Sequence, residues 1–97
     1  MVTRIVKMTF QNDRTEEFLL IFGQYQSRIR AAEGCTALTL LRDTSDARIF
    51  FTYSHWTDSR FIEQYRNSDV FGEVWPRVKS LFAEPAQAWS VEGIVEL

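Results

Sequence analysis

Apolar and polar residues alternate at the start of the chain, as they do in a β-strand with one buried face. One face would carry Val2, Val6, Met8 and Phe10, and the other Thr3, Ile5, Lys7 and Thr9. The alternation predicts a first strand over Val2 to Phe10, followed by a polar turn.

The apolar spacing then changes to three and four residues, the period of an α-helix. Phe18, Phe22, Tyr25 and Ile29 form the stripe of a helix over roughly Arg14 to Ala32. Its first turn is acidic and its last turn basic, which suits the helix dipole. Gly34 is well placed to end this helix.

Two β-prone segments follow the helix. Cys35 to Arg42 and Arg48 to Trp56 are predicted to be the second and third strands, joined by a hairpin turn with the sequence DTSDA. On the third strand Ile49, Phe51 and Tyr53 point to one face and Phe50 points to the other. Both faces of the sheet are therefore partly apolar.

The last third of the chain predicts a helical region in two pieces and a final strand. Thr57 or Asp58 can cap a short helix to about Asn67, and Ser68 can cap another. The second piece carries apolar positions Phe71, Val74, Trp75, Val78, Leu81 and Phe82. Pro76 is expected to kink or break it. Ala88 to Leu97 is predicted to be the fourth strand.

The element order β-α-β-β-α-β is that of a ferredoxin-like α+β domain, with helices on one face of an antiparallel sheet. The 97 residues, with no linker, repeat or low-complexity segment, indicate a single domain over 1–97. Because helices cover only one sheet face, the apolar residues of the other predict a homodimer formed through the sheet.

The composition of the chain argues against some classes of binding partner. A formal charge of -2, with no block of basic residues, makes nucleic acid and anionic membrane surfaces improbable partners. No apolar run approaches the ~20 residues that span a bilayer. The single cysteine, Cys35, cannot form an intramolecular disulfide and is expected to be a small buried residue. These features, and the lack of a signal-peptide pattern, predict a cytoplasmic protein.

Candidate chemistry is concentrated between Phe50 and Pro76, where four Phe, two Tyr and two Trp accompany the only histidine. His55 is either a general base, oriented by Asp58, or a structural residue at a strand end. Ser54 cannot form a dyad with it, since adjacent strand residues point to opposite faces. A lone His, without a second imidazole or a thiol cluster, predicts no metal site.

The aromatic residues have two interpretations as well. Trp56 and Trp75 either stack on a flat substrate or belong to the hydrophobic core. Tyr53 and Tyr65 either donate hydrogen bonds to a phenolic or keto oxygen or are buried with their hydroxyls at the surface. Arg66 either holds an enolate or is an ordinary surface residue.

The strand RIFFTYSHW, the short helix with Tyr65 and the segment NSDVFGEVW resemble the antibiotic biosynthesis monooxygenase family. The similarity extends from VKMTF through Glu33–Cys35 to AWSVEG. It implies a dimeric α+β barrel of ferredoxin-like protomers. In this family some members oxygenate polycyclic aromatic compounds without metal or flavin, some degrade haem, and many have no known activity.

The resemblance implies a cofactor-independent monooxygenase acting on an aromatic or quinol-like small molecule, which itself supplies the electrons. In that role His55 would be the base and Tyr53 or Tyr65 the hydrogen-bond donor. Trp56, Phe71 and Trp75 would be the stacking walls of a pocket between sheet and helices. A non-catalytic dimeric small-molecule-binding protein, or a purely structural dimer, would account for the same sequence.

The haem-degrading branch uses an Asn on the first strand, a Trp on the second helical segment and an iron-ligating His. Alignment through NSDVF puts Val6, Tyr65 and Trp75 at these positions. All three depart from the pattern, so no haem and no other cofactor is expected.

Overall fold

The computed structural model describes residues 1–97, and the alternation over the first ten residues produces one of the two central strands of a four-stranded antiparallel sheet. The elements in chain order are β1 (Val2–Phe10), α1 (Thr15–Arg30), β2 (Cys35–Arg42), β3 (Ile49–Trp56), α2 (Ser59–Arg66), α3 (Asp69–Lys79) and β4 (Phe82–Val91). The strand order β2-β3-β1-β4 is that of a ferredoxin-like fold, as predicted.

The three helices cover one face of the sheet, and the main core lies between them. Met8, Phe10 and Phe50 point from the sheet into this core, where the rings of Phe10 and Phe18 stack with their centroids 4.2 Å apart. From the helices and the turn before β4 the core receives Phe18, Ile21, Phe22, Ile29, Val74, Val78 and Leu81. The apolar stripes predicted for β1 and α1 therefore meet in the core.

Local hydrogen bonds fix where the turns and helices begin. In the β2–β3 hairpin the Asp43 carboxylate accepts from the backbone N–H groups of Ser45 and Asp46, at 2.9 and 2.8 Å. Asp58 caps α2 by accepting from the N–H of Arg60, and Ser68 caps α3 by accepting from the N–H of Phe71. The caps place the break between the two helices where the sequence predicts it.

The sequence predicts a kink or a break at Pro76, and the break is wrong, because α3 runs without interruption from Asp69 to Lys79. Pro76 removes only one N–H from the ladder. Val74 and Val78, on either side of it, are buried in the core. Packing of this face holds the helix together where propensity alone would end it.

The fourth strand begins earlier than predicted, at Phe82 instead of Ala88, and it ends at Val91. Phe82 pairs with Phe10 of β1. Pro85 is tolerated because β4 is an edge strand, with a neighbour on one side only.

The sheet face turned away from the helices is called the open face here. It carries Leu41, Phe51, Tyr53, His55 and Trp89. Trp89 of β4 is 45% exposed and Leu41 of β2 is 44% exposed, so both edge strands leave large apolar side chains in contact with water. None of the three helices combines the length and the apolar character needed to cross a membrane.

Candidate functional site

Polar side chains interrupt the inner, helix-facing side of the sheet at one level. Strand register places Arg4 of β1 between Ser54 of β3 and Ser90 of β4. Thr52 is the inward residue that precedes Ser54 on β3, and it pairs with Val6. Since inward positions of a covered sheet are usually apolar, this group marks a place where the core is incomplete.

A cavity of about 310 Å³ lies at this level, between the inner face of the sheet and the helices. Fifteen of its nineteen lining residues are hydrophobic, and the other four are Arg4, Thr52, Ser54 and Arg66. Its size and composition are those of a small-molecule site, with apolar walls and a few polar groups that orient the ligand.

Aromatic rings form a continuous series along the helical side of the cavity. Trp56 and Tyr65 lie 5.6 Å apart, Tyr65 meets Phe71 edge to face at 5.4 Å, and Phe71 stacks on Trp75 at 5.4 Å. Because α2 and α3 supply three of these four rings, the caps of these short helices position the wall. The four rings pack against one another and give the cavity an aromatic, apolar wall.

Hydrogen bonds within the protein hold part of the polar lining. The indole N–H of Trp56 donates to Ser54 Oγ at 2.9 Å, which fixes the ring plane. Arg4 donates to Ser90 Oγ at 3.0 Å. Arg66 forms an ion pair with Glu63 at 3.3 Å on the exposed surface of α2. The Tyr65 hydroxyl makes no hydrogen bond within the protein and is not fully buried, so it is available to a ligand.

Burial determines the protonation of Tyr65. Desolvation, with a smaller contribution from nearby Cys35, raises the pKa of its hydroxyl to about 12. The phenol is therefore neutral at physiological pH and acts as a hydrogen-bond donor.

Arg4 is the second group whose protonation is perturbed by the site. Desolvation and the like charge of Arg66 lower the pKa of its guanidinium, while Glu63 raises it. An arginine nevertheless stays charged at neutral pH. Two cations therefore approach one another at the polar part of the cavity.

Five of the seven residues singled out in the sequence line this cavity: Trp56, Tyr65, Arg66, Phe71 and Trp75. They come from the end of β3, from α2 and from α3. Their roles in binding or chemistry remain predictions.

The other two, His55 and Tyr53, do not lie with them. Both are on the open face, where their rings meet edge to face at 5.0 Å. His55 Nδ1 lies 2.9 Å from Thr3 Oγ1, and Asp58, expected to orient it, caps α2 instead. The expectation that His55 and Tyr53 share a pocket with Tyr65 is wrong, because alternation along β3 turns them away from the helices.

Sequence reasoning missed Arg4. The sequence could have revealed it, because Arg4 lies between Val2 and Val6 on the same face of β1. The other residues of that face are apolar. A charged residue at an inward position is uncommon unless it is paired or functional.

Neither a metal cluster nor the ligand set for haem is found at the cavity. Nowhere does the chain bring together three or more His, Cys, Asp or Glu side chains in a way that could hold a metal ion. The three positions corresponding to the haem-degrading branch, Val6, Tyr65 and Trp75, all line the cavity. The sole imidazole, on the open face, cannot replace the axial ligand that this branch places where Trp75 stands.

Solved structures similar to this one cover almost the whole chain. A crystal structure of an antibiotic biosynthesis monooxygenase has a TM-score of 0.91 at 15% identity, covering 98% of this chain and 100% of its own. Rv0793 from Mycobacterium tuberculosis has a TM-score of 0.88 at 15% identity, covering 98% and 96%. A variant of SnoaB, a cofactor-independent oxygenase from Streptomyces nogalater, has a TM-score of 0.86 at 18% identity, covering 99% and 95%. At these identities the likeness shows the fold.

Family membership rests on the sequence itself. No curated protein matches the chain. Residues 1–75 match the family model for antibiotic biosynthesis monooxygenases, and this range contains β1, the cap of α2 and the aromatic wall up to Trp75. The chain therefore belongs to the antibiotic biosynthesis monooxygenase family.

Proposed function

We propose that this protein is a cofactor-independent monooxygenase that acts on an aromatic or quinol-like small molecule held in the cavity between sheet and helices. The observation that carries the proposal is the largely apolar cavity with a wall of four successive aromatic rings and a free phenolic donor. Family membership and the likeness to a cofactor-independent oxygenase support it.

In the proposed reaction the substrate supplies the electrons. A ring methylene activated by a neighbouring phenol or ketone loses a proton and becomes an electron-rich enolate. Molecular oxygen adds to this carbon, and the resulting hydroperoxide loses water to leave a carbonyl. One oxygen atom enters the product and the other leaves as water, so no external reductant is consumed.

The residues of the cavity would act on the charge that develops. The neutral Tyr65 hydroxyl would donate a hydrogen bond to the enolate oxygen, and Arg66 would add positive charge nearby. Trp56, Phe71 and Trp75 would hold the ring system flat and keep water away from the reactive carbon. No carboxylate or imidazole lines the cavity, so the proton would pass to solvent water, and the positive charge of the two arginines would make the substrate more acidic.

That missing base favours a second candidate, a non-catalytic protein that binds an aromatic small molecule. The cavity offers hydrogen-bond donors and stacking surfaces, which suffice for binding. The two candidates differ in oxygen consumption only.

Oxygen uptake tests the proposal directly. A panel of di- and tricyclic phenols, quinols and hydroxyanthrones would be incubated with the protein in the presence of a metal chelator. We expect at least one compound to consume oxygen and form product in a 1:1 ratio, above the rate without protein. Saturable binding with no oxygen uptake across the panel would favour the binding protein.

We also propose that two protomers pack through their open faces into an α+β barrel. Support comes from the apolar and aromatic side chains exposed there, including Trp89, Leu41 and Tyr53. Burying them at an interface would remove the largest apolar exposure of the sheet from water.

A further inference from the structure

Arg4 has no partner that explains its place in the fold. It points inward from β1, one of the two central strands, it is partly buried, and it forms no ion pair. Its one hydrogen bond within the protein goes to the neutral hydroxyl of Ser90. A guanidinium has five N–H donors, so most of the hydrogen-bonding capacity of Arg4 is unused.

Arg66 adds a second positive charge to that of Arg4. Arg66 lines the same cavity and is close enough to lower the pKa of Arg4. Its partner Glu63 is three residues earlier on the surface of α2, and side-chain exposures of 51% and 68% make this ion pair weak. Two like charges beside an apolar cavity cost free energy unless an anion is bound there.

No residue that lines the cavity supplies that anion, and Glu63, whose charge raises the pKa of Arg4, lies on the exposed surface of α2. No Asp or Glu is among the lining residues. Tyr65 retains its proton, so it offers a donor and no charge. The polar end of the cavity is therefore positively charged and rich in donors, and it adjoins the aromatic wall.

We propose that the ligand of this cavity is an aromatic carboxylate whose carboxylate group is bound by Arg4, with Arg66 as the second cation. The inference rests on the proposed function for the aromatic part of the ligand and adds the anionic group. A planar carboxylate attached to a ring matches the fork of a guanidinium with two parallel N–H···O bonds. The ring then extends from the sheet towards the aromatic wall.

The test compares an acid with a neutral analogue of the same shape. Isothermal titration calorimetry would give the dissociation constants of 2-naphthoate and 2-naphthalenemethanol at pH 7. We expect 2-naphthoate to bind at least about tenfold more tightly. Arg4→Gln should abolish this preference, and Arg4→Lys should restore part of it.

Arg60→Gln is the matched control, because Arg60 lies on the same helix as Arg66 but does not line the cavity. It should keep the full preference for the acid. Equal binding of acid and alcohol by the wild-type protein, or an unchanged preference in Arg4→Gln, overturns the inference and leaves the aromatic-binding function standing. Binding of neither probe overturns both, and oxygen uptake tests the oxygenase chemistry separately.

Discussion

Tyr65 combines three properties at one position: a ring in the aromatic wall, a hydroxyl without a partner in the protein, and a pKa raised by burial to about 12. The cavity offers no other neutral phenol, because Tyr53 and Tyr25 lie outside it. The proposed chemistry therefore depends on this side chain more than on any other.

Tyr65→Phe removes the hydroxyl and keeps the ring, so it should lower kcat by roughly 10²-fold while changing KM little, as expected for loss of one oxyanion donor. Steady-state oxygen uptake measures both constants. Tyr25→Phe, outside the cavity, is the control and should behave as wild type. Full turnover in Tyr65→Phe would show that the hydroxyl takes no part.

The raised pKa of Tyr65 also predicts how stability depends on pH. Between about pH 10, where an unfolded tyrosine ionises, and pH 12, the unfolded state releases a proton that the folded state keeps. The free energy of unfolding should therefore fall in this window, by on the order of 2 kcal/mol from this residue. Urea unfolding of wild type and Tyr65→Phe at pH 9 and pH 11.5 isolates the contribution. An equal loss in both proteins would contradict it.

His55→Gln tests the reassignment of the histidine to the open face. Loss of a general base typically costs about 10²–10⁴-fold in rate, and we expect no such loss here because His55 does not line the cavity. The measurement is kcat at a protein concentration where wild type and variant have the same oligomeric state. A hundredfold decrease would return His55 to the catalytic machinery.

At the scale of elements, alternation and capping predicted most of the fold. The alternating pattern located β1, and β-prone composition on either side of a hairpin turn located β2 and β3. Thr57 or Asp58 and then Ser68 marked the starts of α2 and α3. The start of β4 was predicted wrongly because helical spacing continues into the strand. Leu81 and Phe82 continue the helical spacing of Val74 and Val78, yet the chain leaves the helix after Lys79 and Phe82 opens β4.

The site was only partly predictable, for a related reason. The alternation that separates Ser54 from His55 also separates His55 from Trp56, so a cluster that looks continuous in sequence divides between two faces of the sheet. The same alternation places Arg4 on the inward face of β1. How far its guanidinium reaches, and that no carboxylate meets it there, depend on tertiary packing that no local pattern encodes.

The connection from α1 to β2 gives a prediction at this scale. Gly34 adopts φ +83°, and a Cβ built on it would overlap the ring of Phe61 at the start of α2. Gly34→Ala should therefore lower the free energy of unfolding by about 1–3 kcal/mol, from backbone strain and the clash. Denaturant unfolding measures it. Gly23→Ala is the control, because its Cβ would meet nothing within 4 Å and the residue is in a helix, so it should be neutral or stabilising.

At the scale of the whole molecule, the two faces of the sheet differ in the side chains and spaces that they present. The inner face holds the cavity, and the open face exposes large apolar side chains beside His55 and Tyr53. Association through the open face would therefore leave the cavity of each protomer intact.

Sedimentation at micromolar concentration should give twice the protomer mass of 11.4 kDa. Leu41→Asp, on the open face, should shift the protein to a monomer because it places a charge in the proposed interface. Leu20→Asp, on the outer surface of α1 where Leu20 is 70% exposed, is the matched control and should remain a dimer. A wild-type monomer across this range would contradict the proposed interface.

Under the proposed function, the ligand binds in the cavity between sheet and helices. Ala88 lines this cavity and is itself exposed, so Ala88→Trp would obstruct it from the edge of the sheet without overfilling the core. Ala83→Trp places the same ring at an exposed position of β4 outside the cavity. The measurement is the dissociation constant of 2-naphthoate for each variant. The thermal unfolding midpoint of each variant shows whether it is folded. We predict a loss of affinity of at least about tenfold in Ala88→Trp and none in Ala83→Trp. Unchanged affinity in a folded Ala88→Trp protein would show that the ligand does not bind in this cavity.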